Sequence, residues 1–269
     1  YIEFKFVSEE DLVKHDFTIL EILRPRPPQL SQNFQQVQGP PTMMYSFVLS
    51  PIKNGPFKEK ENRIAFTSRF KKLQESSAVL VSQFFYPSAR SVVNTPDNVE
   101  YTNSIKNSTL HFAFNRDSFA PEISEEVVRL TQLALKDVNP KITFKLDKET
   151  HSNWRQLLLG NEEYDVRFDG VDIGGHIQNM VIKMIFCSKL GVNYPDPSGR
   201  ICNLVKKQDE QGGAVDQIYI DEFNQILADD AVVIPLMHYG TTWYLSEKID
   251  PKTFPPTVVS PLFESIYFK

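Results

Sequence analysis

The sequence predicts an α/β fold in which a parallel-rich mixed sheet is flanked by helices. Three observations predict it. Apolar residues alternate over short segments such as STLHFAF, KITFKL and YDVRFDG, the period of a half-buried strand. Longer segments between them carry apolar residues at helical spacing. Strand–helix–strand–helix–strand with short connections calls for parallel pairing with helices on the sheet faces.

In chain order, YIEFKFVSEEDL reads as starting inside a strand, so a part upstream of it is expected. FKF suits a strand, and SEEDLVKHDF suits a short helix with Ser8 as its N-cap. PRPPQ and QGPP read as loops. TMMYSFVLSP is an extended apolar segment. Pro56 then opens a helix over GPFKEKENRIAFTSRFKKL, a position where a first turn tolerates proline. Phe57, Ile64, Phe66 and Phe70 recur in it at loosely helical spacing, opposite a basic face.

STLHFAF places Leu110, Phe112 and Phe114 on one strand face. The helix APEISEEVVRLTQLALKDVNP follows, with Pro121 at its start and Ile123, Val127, Leu130 and Ala134 in one stripe. Acidic residues in its first turn suit the helix dipole. KITFKL is a second strand, SNWRQLLLG a helix closed by Gly160, and YDVRFDG a third strand. A helix over GGHIQNMVIKMIFCSKLG and the loop VNYPDPSGRI come next. VDQIYIDEFNQILADD is a helix with Tyr219, Phe223 and Ile226 on one side. Ala231 to Leu236 is a buried strand ending in Met237, His238, Tyr239 and Gly240, and the tail from Lys248 is extended.

At 269 residues the chain can form one large domain or two small ones. Its 41% hydrophobic and 23% charged residues are those of a soluble globular protein. A net charge of −5 without a basic stripe argues against nucleic acid as a partner. No apolar run approaches the roughly 18–20 residues that cross a bilayer. Cys187 and Cys202 permit one disulfide without forming a framework, and packed thiols are the expectation.

Signatures of catalysis are missing: no H-E-x-x-H, G-x-S-x-G, Walker loop or CxxC pair occurs. His15, His111, His151, His176 and His238 lack metal-ligand spacing, so no metal and no cofactor is expected. GVDIGG lacks the G-x-G-x-x-G pattern of a dinucleotide turn. Asp165, Asp169 and Asp172 gather on and after one strand, where a solvated strand end outweighs an acid–base pair. A binding site fits better, because ligands of open parallel sheets lie beyond the carboxyl ends of the strands. DGVDIGG is such an end. Gly170 and Gly174 would let a ligand approach the backbone, beside Val171, and Asp172 could meet an ammonium group. His238 and Tyr239 end the last strand, and the tyrosine offers a flat apolar face with a hydroxyl.

Several segments, in order, resemble the C-terminal half of the ABC-transporter solute-binding proteins of the oligopeptide- and nickel-binding kind. GPFKEKENRIAF resembles that family's Pro-Phe helix start. The stretch from TLHFAF to YDVRFDGVD resembles its strand–helix core. NYPDPSGRI and FNQILADDAVVIPLMHYGTTWYLSEKID resemble its closing loop, last helix and hinge strand. The likeness covers most of residues 50 to 250. It implies a periplasmic-binding-protein-like lobe over 51–238, part of a first lobe and hinge over 1–50, and a return segment over 239–269.

The family's ligand-facing strand end has Arg, Gly, Trp and an Asp that captures a peptide amino terminus. This sequence has Phe168, Gly170, Val171 and Gly174 at the matching places, with Asp172 two residues early. Tyr239 matches a ligand-contacting tyrosine of the hinge strand. The resemblance implies an importer's substrate-binding component, periplasmic or otherwise extracytoplasmic and membrane-anchored. It would bind an oligopeptide or similar small solute without catalysis. Its partners would be a membrane permease and the missing N-terminal lobe. The alternative is a sensing or regulatory module on the same fold that binds a non-peptide solute.

Overall fold

The structure, a computed structural model, describes residues 19–22, 34–51, 54–77, 99–106, 108–114, 121–145, 164–172, 178–188, 194–212, 216–250 and 252. Its strands are β1 (Ile19–Ile22), β2 (Phe34–Leu49), β3 (Thr109–Ala113), β4 (Lys141–Lys145), β5 (Val166–Asp172) and β6 (Val233–Ser246). They form a six-stranded sheet in the order β1-β6-β2-β5-β3-β4. β3 pairs parallel with β4 and with β5, whereas β5–β2, β2–β6 and β6–β1 are antiparallel. The sheet is therefore mixed, as expected, with its parallel part where strands and helices alternate. Antiparallel pairing predominates in place of the parallel-rich sheet expected, because β2 and β6 are long strands paired antiparallel.

The helices are α1 (Lys60–Gln74), α2 (Pro121–Ala134), α3 (Gln178–Ile182), α4 (Arg200–Glu210) and α5 (Gln217–Asp230). Pro56–Lys58 forms a 3-10 turn ahead of α1, and a π-helical turn, Lys183–Cys187, continues α3. α1 and α2 cover one sheet face. Phe57, Phe66 and Phe70 join Val127 and Leu130 there, over Phe47, Phe112 and Phe168 of the strands. α3, α4 and α5 cover the other face, where Ile185, Leu204, Tyr219 and Phe223 pack on Met44, Val48 and Val171. Alternation along the strands makes this division, since successive side chains leave opposite faces. A small third cluster of Trp243, Leu245 and Ile249 sits at the far end of β6, with Val37 against it.

Local chemistry sets the ends of α5. The Asp216 side chain accepts from the Tyr219 amide at 2.8 Å, the N-cap bond. Ala231, buried at φ 49°, closes the helix in a left-handed turn, so the chain enters β6 at Val233.

Three features depart from the sequence reading. QGPP is no loop: β2 runs through it, with register shifts between Gln38 and Pro41 and between Pro41 and Met43. Proline has no N–H to donate, so the ladder breaks there without ending the strand. The loop VNYPDPSGRI gives way to helix at Arg200, and α4 was not anticipated. Gly199, at φ 69°, makes that entry, and Ile201, Leu204 and Val205 form the buried stripe. Third, Cys187 and Cys202 are not packed thiols but a disulfide, with Cα atoms 5.5 Å apart. The readings of FKF, SEEDLVKHDF and SNWRQLLLG, and most of the tail, lie outside the described residues.

The disulfide ties the π-helical turn to α4 across a sequence separation of 15. Closing a loop of that size removes about 3 kcal/mol of unfolded-chain entropy. Replacing both cysteines by alanine is expected to lower stability by about that amount. Urea melts of the two forms measure it, and coincident midpoints would show the link to be idle.

Candidate functional site

β2 lies between β5 and β6 and brings the two sequence-predicted sites to one level of the sheet. His238 and Tyr239 stand in mid-strand and not at a strand end, because β6 runs on to Ser246 against β2 and β1. Met43 stands opposite both Asp172 and Tyr239, Met44 opposite Val171 and His238, and Tyr45 opposite Gly170 and Met237. Residues 170–172 and 238–239 are thereby about 10 Å apart across one intervening strand.

The alternation then sorts them. His238 shares the face of Met44 and Val171, both buried in the core beneath α3–α5. Tyr239 shares the other face with Met43, Tyr45, Gly170 and Met237. Its ring is half-buried, and its hydroxyl lies 2.9 Å from Thr242 Oγ1. Burial pushes the Tyr239 hydroxyl above its ordinary pKa, partly offset by that bond, so it stays neutral. The backbone of Asp172 is placed by its pairing with Met43, while its side chain and the whole of Gly174 lie outside the described residues.

At Gly170 the space is taken by protein. A Cβ there would stand 2.5 Å from Tyr45 Cε1 and 2.8 Å from Cδ1. The glycine seats a tyrosine ring, which also stacks on Phe168 with centroids 5.6 Å apart and planes at 14°. Nothing in the sequence flagged Tyr45, because its partner glycine is far away in the chain and is joined to it only by sheet register.

The acidic cluster is divided. The Asp165 carboxylate accepts from the His111 amide at 2.9 Å and so belongs to the β3–β5 junction. Asp169 is 2% exposed and faces the core beneath α3–α5. Arg167 Nε is 3.9 Å from its Oδ2. Beside it, Ser46 Oγ and Tyr194 Oη are 3.1 Å apart. Burial pushes the Asp169 carboxyl up to about 7 against the opposing pull of Arg167. These two carboxylates serve the sheet, not a shared acid–base centre. Among the described residues no group of three His, Cys, Asp or Glu side chains could hold a metal ion.

No protein-family model and no curated protein sequence matches the chain. Solved structures do, and they define the fold as that of ABC-transporter solute-binding proteins. One is the substrate-binding protein CtaP of Listeria monocytogenes: TM-score 0.65, 16% identity, covering 97% of this chain and 57% of that one. The oligopeptide-binding protein AppA of Bacillus subtilis, solved with a nonapeptide, has TM-score 0.61 and 13% identity over 97% of this chain and 58% of its own. NikA of Brucella suis, solved with Fe(III)-EDTA, has TM-score 0.60 and 12% identity over 88% and 53%. The chain spans little more than half the length of these proteins.

Proposed function

We propose that this chain is part of the substrate-binding component of an ABC importer. It would hold a small solute of the peptide class between two lobes and perform no chemistry. The observation that carries the reading is the run of β2 and β6 out of the large core. Both strands leave the level of Met43 and Tyr239 and continue to the separate cluster around Trp243, where β1 joins them. The β2 irregularities between Gln38 and Met43 lie between the two cores. A strand pair whose ladder is broken where it passes from one core to the other suits a hinge, and lobe closure about it would favour the ligand-bound state.

On this reading 51–238 is one lobe, 1–50 carries part of the other lobe and the hinge, and 239–269 returns to that lobe. Gly170, Asp172 and Gly174 on one side and Tyr239 on the other would then border the cleft, whereas Val171 and His238, expected there from the sequence, take the opposite sheet face beneath α3–α5. A membrane permease and the rest of the first lobe are the partners. An extracytoplasmic location agrees with the Cys187–Cys202 disulfide, since such bonds persist in oxidising compartments. Among the described residues no helix is long and apolar enough to cross a membrane.

Native mass spectrometry of the gently purified full-length protein tests the reading. A retained peptide-like mass supports it, a retained non-peptide solute replaces the ligand class, and a bare protein overturns it. With the released solute as ligand, Tyr239→Ala is expected to weaken binding about tenfold, or about 1.4 kcal/mol, with a small change in melting temperature. Unchanged affinity by calorimetry, beside a large fall in melting temperature, would make Tyr239 a core residue instead.

A further inference from the structure

Met43, Tyr45, Met237 and Tyr239 make a two-by-two pattern on one sheet face. Tyr45 pairs directly with Met237 and Met43 with Tyr239. The ladder is regular over these residues, its shifts falling before Met43 and after Tyr45. The two tyrosines are therefore diagonal neighbours at about 7–8 Å, with the methionines on the other diagonal. Exposure changes along the same strands. Phe47, Phe168 and Met237 are buried, whereas Met43, Tyr45 and Tyr239 are only partly buried.

We propose that this Tyr–Met quartet is the specificity-determining floor of the cleft and selects a ligand bearing a flat apolar ring. The inference rests on the binding reading above and adds the ligand's chemistry to it. Tyr45 is held flat from two sides, by Gly170 beneath its edge and by Phe168 stacked at 14°. A ring held in this way has little rotamer freedom left to lose when a ligand ring settles on it. The methionines supply polarizable sulfur that contacts aromatic edges and adapts to their shape. None of the four side chains carries a charge at neutral pH, so the quartet offers an ionic group no counter-charge.

Methyl-¹³C methionine NMR on the full-length protein tests this, with indole as the probe and cyclohexanol as an apolar comparison lacking a π-face. Met43→Leu and Met237→Leu assign the signals. Indole is expected to shift the Met43 and Met237 methyls saturably, with affinity about fivefold above cyclohexanol, the size of gain an aromatic pair adds beyond its area. Met180 and Met184, 60% and 43% exposed on α3 and its π-helical turn, are the internal control and are expected to stay still. Tyr45→Leu keeps an apolar side chain but removes the π-face and should erase the preference, and Tyr45→Phe should retain it. Equal shifts with cyclohexanol, shifts at Met180 and Met184 to the same degree, or a preference that survives Tyr45→Leu would overturn the proposal. A positive NMR result beside a solute-free mass spectrum would leave the platform standing and remove the transport reading.

Discussion

Asp169→Asn is expected to stabilise the protein increasingly as pH rises, with the gap over the parent widening by about 3 kcal/mol between pH 5 and pH 8. The folded carboxyl titrates near 7 against an ordinary value of 3.8, and burial is the main cause. Between those values the unfolded chain has released its proton while the folded chain retains one. Stability therefore falls as pH rises, by about 1.4 kcal/mol per unit, and levels off above pH 7 at a total of about 4 kcal/mol. Asparagine has the shape of the protonated acid and never ionises, so it escapes this loss. Every other titrating group is common to both proteins and cancels in the difference. Urea unfolding of the pair at pH 5 and pH 8 is the measurement. Parallel profiles would mean that Arg167, 3.9 Å away, already compensates the buried charge.

Phe47→Ala is expected to cost about 3–5 kcal/mol, the range for removing a large ring from a packed core. Phe47 is fully buried in β2. The rings of Phe70, Phe112, Phe114 and Phe168 stand edge-on to it, with centroids 5.7, 5.7, 6.4 and 6.1 Å away. Its removal strips one partner from four aromatic pairs and leaves a cavity that four stiff rings cannot collapse into. Phe47→Leu restores most of the volume and should recover more than half of the loss. Because β2 holds β5 and β6 in register, the alanine variant should also speed amide exchange at Gly170 and Tyr239. A loss below about 1.5 kcal/mol would mean that the cluster repacks.

Much of the fold was legible because its signals are local. Leu110 and Phe112 in β3, and Val127, Leu130 and Ala134 in α2, announce strand and helix by period alone, and each is buried as that period requires. α4 was lost because Pro195, Pro197 and Gly199 directly before it read as continuing loop. QGPP was lost for the opposite reason: a proline-rich stretch can remain in a sheet when one long neighbour, here β6, pairs with the strand before and after the break.

The candidate site was legible only as two separate stretches, DGVDIGG, which does close β5, and MHYG, which was read as a strand end but lies within β6. Glycine and aromatic residues at a strand end mark a place where the backbone leaves the core, which a sequence can state. It cannot state that β2 stands between them, nor that Gly170 is filled by Tyr45. Asp169 shows the same limit. It was expected at a solvated strand end, but strand parity turns it into the core beneath α3–α5, where it is buried.

By itself the sequence determined the alternation of strands and helices, the mixed sheet and the likeness to a solute-binding lobe. The alternation follows from propensity and hydrophobic period, which act between residues close in the chain, while the mixed sheet and the likeness are what the ordered resemblance of segments to the family implies. The tertiary structure alone decided the Cys187–Cys202 bond, the faces taken by His238 and Tyr239, the seating of Tyr45 and the raised pKa of Asp169. Each of those depends on sheet register or burial, which arise only when segments distant in sequence are packed against one another.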